Sequence, residues 1–141
     1  MTKLGGPLRV ELSRKGEYRS ARLLEEYVAE VTVNGKTLTI TVPAGFETDF
    51  ASVPRAFWRI VPPWGEYSPA AVVHDYLYAT ALLPRAGADW VFLELMTELG
   101  VPWWKRQAMY RAVRLGGGFA WDERGRTGGG RNPKGYRRWR C

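Results

Sequence analysis

The sequence predicts an α+β domain: an N-terminal β-hairpin or small antiparallel sheet, then a bundle of three to four short helices, then a basic C-terminal tail. Three observations carry this prediction. Two stretches that alternate apolar and polar residues flank Asn34-Gly35, a dipeptide that tolerates the positive φ of a two-residue hairpin turn. From Pro69 onward, apolar residues recur every three to four positions instead of every two. Pro and Gly residues punctuate the helical stretches at plausible ends. The length of 141 residues suits one domain, and 45% hydrophobic with 25% charged residues is a globular composition.

Taken in order, Pro7 to Leu12 alternates enough for a short strand, and Arg14 to Ser20 is polar and reads as a connection. Tyr27 to Val33 forms a strand with Val31 and Val33 on one face and Val28, Glu30 and Thr32 on the other. Lys36 to Val42 alternates strictly, with Leu38, Ile40 and Val42 inward and Thr37, Thr39 and Thr41 outward. Pro43-Ala44-Gly45 ends that strand. Ser52, with Pro54 close behind it, resembles a helix start leading into Ala56 to Val61, broken by Pro62-Pro63-Trp64-Gly65. A helix from Pro69 carries Ala70, Ala71, Val73, His74, Leu77, Tyr78 and Ala81 and is stopped by Pro84. A second runs from Arg85 to Leu99 with Ala88, Phe92, Leu95 and Leu99 on one stripe and Gly100 as its C-cap. Pro102 opens a third, through Trp103, Arg106, Met109, Tyr110, Val113 and Arg114, closed by Gly116-Gly117-Gly118.

The formal charge of +7 divides unevenly. Residues 1–121, read as the globular domain, hold 14 Lys and Arg against 12 Asp and Glu, net +2. Residues 122–141, read as a Gly/Arg-rich tail, hold 7 against 2, net +5, and have too few aliphatic side chains to build a core. No apolar run approaches the roughly 18–20 residues of a membrane span, so no transmembrane segment is expected. Met1 to Pro7 has no apolar h-region, so no secretory signal is expected. Cys141 is the only cysteine, which excludes an intramolecular disulfide.

The candidate chemistry centres on the one histidine. His74 and Asp75 sit in the middle of an apolar helix, and Tyr78, four residues on, shares a face with His74. Helices joined by a short loop pack antiparallel, which lets His74 face Asp89 of the next helix, with Arg85 four residues ahead of Asp89. A histidine whose Nδ1–H is held by a carboxylate presents Nε2 as an oriented base. Asp75 points about 100° away around the helix and is placed to hold a divalent cation or a water, with Asp49 from the preceding loop as a second ligand. One histidine with carboxylates suits Ca, Mg or Mn better than structural zinc. Against this stands a plain structural polar network, and Asp89 alone fits a first-turn partner of its helix dipole. Thr48, Asp49, Ser52 and Arg55 read as turn and cap residues with an Arg–Asp ion pair, and Arg85 joins them in the structural set.

Four blocks in order, Phe46-x-Thr48-Asp49-Phe50-Ala51-Ser52-Val53-Pro54-Arg55, Ala70-Ala71-Val72-Val73-His74-Asp75-Tyr76-Leu77-Tyr78, Arg85-x-x-Ala88-Asp89-x-x-Phe92 and Met109-Tyr110-x-x-Val113, resemble the signature of a small phage- and prophage-encoded family of unknown function. The resemblance covers residues 40–120. It implies a phage origin, a place in the cytoplasm of the infected bacterial host or in association with the virion, and no particular activity. His74-Asp75-x-x-Tyr78 with Asp89-x-x-Phe92 is also similar, locally, to the paired-helix core of A-two class phospholipases. That similarity implies His74 as general base, Asp75 as calcium ligand, Tyr78 as buttress and Asp89 as the carboxylate that orients His74. The glycine-rich calcium loop and the flanking cysteines of those enzymes have no counterpart here.

Trp103-Trp104 beside Lys105-Arg106 reads either as a docking site or as the first turn of an amphipathic helix with one indole in the core. Tyr136, Arg137, Arg138, Trp139 and Arg140 mix stacking groups with phosphate-seeking charges. Three functions therefore stay open. The chain is a small hydrolase-like or metal-binding protein centred on His74, or a non-catalytic phage assembly accessory that docks on other phage proteins or on itself through the tail and the tryptophans, or, with less support from a near-neutral body, a nucleic-acid-binding module.

Overall fold

The computed structural model describes residues 3–15, 18–33, 35–48 and 68–126. In chain order these form β1 (Lys3–Leu4), β2 (Val10–Lys15), β3 (Tyr18–Leu23), β4 (Tyr27–Val33), β5 (Lys36–Val42), β6 (Glu47–Thr48), α1 (Ser68–Thr80), α2 (Arg85–Glu98) and α3 (Trp103–Arg126). The architecture is α+β: two antiparallel three-stranded sheets, ordered β1-β4-β5 and β2-β3-β6, followed by the helices. The helix expected to begin at Ser52 lies outside the described residues.

The central hairpin follows the alternation of its sequence. β4 and β5 pair in full register from Tyr27↔Val42 to Val33↔Lys36, and Gly35 in the turn has φ +75°. Ala29, Val31, Ile40 and Val42 are fully buried while Thr37 and Thr39 face solvent. Burying each Val or Ile contributes roughly 1.5–3 kcal/mol, so this face anchors the sheet. β1 adds to the other edge of β4, and the chain there approaches so closely that a Cβ on Gly5 would lie 2.8 Å from the Val28 carbonyl oxygen.

The N-terminal region departs from expectation. The strand expected over Pro7 to Leu12 begins at Val10 and continues through Lys15, and the polar Arg14–Ser20 stretch is divided between two strands of a tight hairpin. Its inward residues on β3, Ala21 and Leu23, come only at the end of the strand, so the polar residues before them mask a strand that is held by backbone pairing. Glu47–Thr48, expected in a turn, pairs with β3 as the short edge strand β6.

α1 is buried on nearly every side: Ala70 to Asp75, Leu77 and Tyr78 are all inaccessible. It packs against α2, α3, β5 and β6, while α2 lies on β1 and β4. α1 ends at Thr80, four residues before the proline expected to stop it, because Ala81 turns left-handed at φ 50° while its N–H still bonds the Leu77 carbonyl. α2 ends as its glycine predicts. Gly100 has φ +76°, its N–H bonds the Thr97 carbonyl, and the Val101 N–H bonds that of Met96, a Schellman closure with Val101 and Met96 both buried. The Gly116–Gly118 run does not close α3, which continues to Arg126 and takes in the first five residues assigned to the tail. Glycine costs a helix about 1 kcal/mol per residue relative to alanine but terminates it only where φ turns positive and the chain reverses, as at Gly100.

Candidate functional site

The sequence places a polar pair, His74-Asp75, in α1, a helix buried on nearly every side, where each must find partners. The two residues, about 100° apart around the helix, meet different elements, His74 on α2 and Asp75 on β6. His74 faces α2, and its Nε2 lies 2.6 Å from Asp89 Oδ1. Tyr78, one turn on, donates its hydroxyl to the same oxygen at 2.5 Å. Arg114 of α3 donates from Nη1 to Asp89 Oδ2 at 2.9 Å. One carboxylate thus receives three charge-assisted contacts from two helices, and His74, Tyr78 and Asp89 are buried. The Phe92 ring, one helical turn beyond Asp89, lies 4.7 Å from the imidazole, and the Tyr78 ring lies 4.3 Å from it. The imidazole is therefore held in its plane as well as at one nitrogen.

The electrostatics follow from the contacts. Burial pushes the Asp89 carboxyl up, but the bonds from His74 and Tyr78, the His74 charge and the Arg114 bond outweigh it, and the group sits below its ordinary range. Asp89 is thus an ionised acceptor. Burial, then the bond and charge of Asp89, raise the Tyr78 phenol well above its usual value, although the neighbouring Arg85 opposes this. Tyr78 stays protonated and remains a donor.

An ionised carboxylate can only accept, so Nε2 carries the proton that faces Asp89. This corrects the expected ring orientation, in which Nδ1 faced the carboxylate and Nε2 served as base.

Asp75 is also fully buried and accepts a hydrogen bond at Oδ2 from the Thr48 hydroxyl, a contact that ties α1 to β6. Thr48 is therefore a strand residue that holds a carboxylate, not a turn residue. Among the described residues no group of three or more His, Cys, Asp and Glu is arranged to hold a metal ion. Among the described residues, the Asp75 carboxylate and the Thr48 hydroxyl are fewer oxygens than calcium or magnesium takes. Asp49, the second expected ligand, lies outside the described residues, as do Ser52, Arg55, Tyr136, Arg137, Arg138, Trp139 and Arg140.

Arg85 joins the structural set through the α3 backbone. Its Nη2 donates to the carbonyls of Val113 at 3.0 Å and Arg114 at 2.5 Å, which docks α3 where Arg114 reaches Asp89. Its own Nε is buried without a hydrogen-bond partner. The cation on Asp89 is thus Arg114, not the residue four positions ahead of it. Sequence reasoning missed Arg114 as a site residue and read it only as one of the residues of the third helix. Trp103 and Trp104 are 65% and 57% exposed, so neither indole is in the core.

No solved structure matches the chain. A 74-residue segment is 42% identical to the uncharacterized protein y4jT of Sinorhizobium fredii (strain NBRC 101917 / NGR234), and this segment is 51% of the present chain and 22% of that protein. The chain thus matches about a fifth of that relative's length. A wider match spans residues 21–113, from β3 into α3, and includes Thr48, His74, Asp75, Tyr78 and Asp89. By that match the chain belongs to the family described as protein of unknown function (DUF1353).

Proposed function

We propose that this protein is hydrolase-like, with His74 as a general base acting through Nδ1 and Asp89 as the carboxylate that orients it. The observation that carries the proposal is the pair of short contacts to Asp89 Oδ1, from His74 Nε2 at 2.6 Å and Tyr78 OH at 2.5 Å. An ionised, triply bonded carboxylate fixes the imidazole tautomer and stabilises the imidazolium that forms when Nδ1 takes a proton. The roles of His74, Tyr78 and Asp89 match those implied by the local similarity to A-two class phospholipases, while the calcium role implied for Asp75 is not part of the proposal, and an ester of a lipid is the substrate class that similarity favours. Water attack at the ester carbonyl carbon passes a proton to Nδ1, which returns it to the leaving alkoxide. No step is assigned to a metal ion. A phage or prophage setting belongs to the same proposal and rests on the signature resemblance.

Burial of His74, Asp75 and Asp89 favours a second reading. In it the cluster locks α1, α2 and α3 together, and the chain is a non-catalytic assembly accessory that docks through exposed residues such as Trp103 and Trp104. One experiment separates the two. The full chain and His74→Ala are assayed on phospholipid and simple ester substrates, and thermal melts are recorded for both. The first reading expects hydrolysis by the wild type and a loss of about a hundredfold or more in a variant that still melts cooperatively. No hydrolysis by the wild type, or undiminished hydrolysis by folded His74→Ala, supports the second.

A further inference from the structure

We infer that the outer face of α3 is a docking surface for an anionic lipid bilayer. The face is defined by helical spacing. Trp104, Arg111 and Leu115 lie at i, i+7 and i+11, one stripe of an α-helix, and all three are exposed. Leu115 is 87% exposed, the most accessible of the large apolar side chains named here, and Trp103 adds a second indole beside Trp104 at the helix start. Lys105 holds its Nζ 5.4 Å from the centre of the Trp104 ring, so a cation accompanies the indole.

Charge complementarity selects the occupant. α3 holds six cations, Lys105, Arg106, Arg111, Arg114, Arg124 and Arg126, against two carboxylates, Asp122 and Glu123, both in its last turns. Arg114 is engaged by Asp89 and Arg106 donates to the Val101 carbonyl, while Lys105 stands beside Trp104 and Arg111 lies on the stripe between Trp104 and Leu115. An anionic surface attracts this net positive helix. Indoles settle at the headgroup level, and lysine and arginine reach from there to lipid phosphates. A bare leucine projecting between them gains by entering an acyl boundary and gains nothing from a nucleic-acid backbone. No helix among the described residues is long and apolar enough to cross a membrane, so the contact is lateral. This surface is independent of whether His74 does chemistry.

The test is cosedimentation of the full chain with vesicles of phosphatidylglycerol and, separately, of phosphatidylcholine, alongside binding to a DNA duplex of random sequence. The expected result is binding to phosphatidylglycerol over phosphatidylcholine, weakened roughly tenfold by the double variant Trp104→Ser, Leu115→Ser. Both side chains are exposed, so an unchanged thermal melt certifies the fold. Absence of vesicle binding overturns the inference. So does binding that the double variant retains in full, which assigns it to the tail, or binding to DNA and vesicles alike that is lost only in Arg111→Glu. Dimerisation in solution abolished by the same double variant, without vesicle binding, makes the face a contact between copies and overturns it too.

Discussion

Replacing Asp89 with asparagine keeps the shape of the side chain and removes the charge on which three donors converge. His74 Nε2, Tyr78 OH and Arg114 Nη1 all point at this carboxylate, at 2.6, 2.5 and 2.9 Å. An amide accepts only at its oxygen, so its NH2 meets at least one donor head-on. Hydrogen bonds to a charged group are worth about 1.5–3 kcal/mol each against about 1 kcal/mol for neutral ones, and breaking a buried ion pair costs about 3–5 kcal/mol. Asp89→Asn is therefore expected to lose about 3–5 kcal/mol at pH 7, read from urea denaturation as a lower midpoint at unchanged slope. The loss depends on pH in a defined direction. Asp89 sits below its ordinary range when folded, so its contribution is complete above the unfolded carboxylate value and fades as the pH falls through the folded one. The gap between wild type and variant should shrink on acidification below about pH 4. A gap under about 0.5 kcal/mol at pH 7, or one that stays constant into strong acid, refutes the claim that this carboxylate is ionised and held by its three partners.

Arg114→Met should cost about 1–2 kcal/mol by chemical denaturation, near the lower end because that side chain is 37% exposed and partly screened by solvent. Thr48→Val keeps the volume but takes the donor from Asp75; a loss of about 1–3 kcal/mol is expected, and a neutral result would mean that this contact does not tie β6 to α1. Ala81→Gly should stabilise by up to about 1 kcal/mol, because alanine holds φ 50° there; a lower melting temperature would contradict the assigned backbone conformation.

The parts of the fold with strong periodicity are the parts that sequence reasoning reaches. Lys36–Val42 alternates strictly and Tyr27–Val33 alternates from Ala29 onward, around Asn34-Gly35, and the strands have those bounds. The meeting of His74, Tyr78 and Asp89 is legible for a related reason: a four-residue spacing on one helix and a short loop to the next leave few other arrangements. The β2–β3 hairpin is illegible because its pairing is carried by backbone groups, and Arg14 to Ser20 show no apolar face. Which imidazole nitrogen meets Asp89 is a side-chain torsion, and residue order carries no record of it. Arg114 lies 25 positions from its partner and reaches it only because α3 packs on α2, with Arg85 docked on the carbonyls beside it. The glycine run in α3 misleads because glycine permits a helix end without imposing one, and the helix runs through it to Arg126.

Because His74 is the only histidine in the chain, its ring can be read without assignment ambiguity. The direct test of the account is a 15N spectrum of the histidine-labelled protein at a pH where the imidazole is neutral, with Asp89→Asn as the comparison. The account predicts a single tautomer with the proton on Nε2, bound toward Asp89, and loss of that fixed state in the variant. A proton on Nδ1, or rapid averaging between the two nitrogens in the wild type, would contradict it.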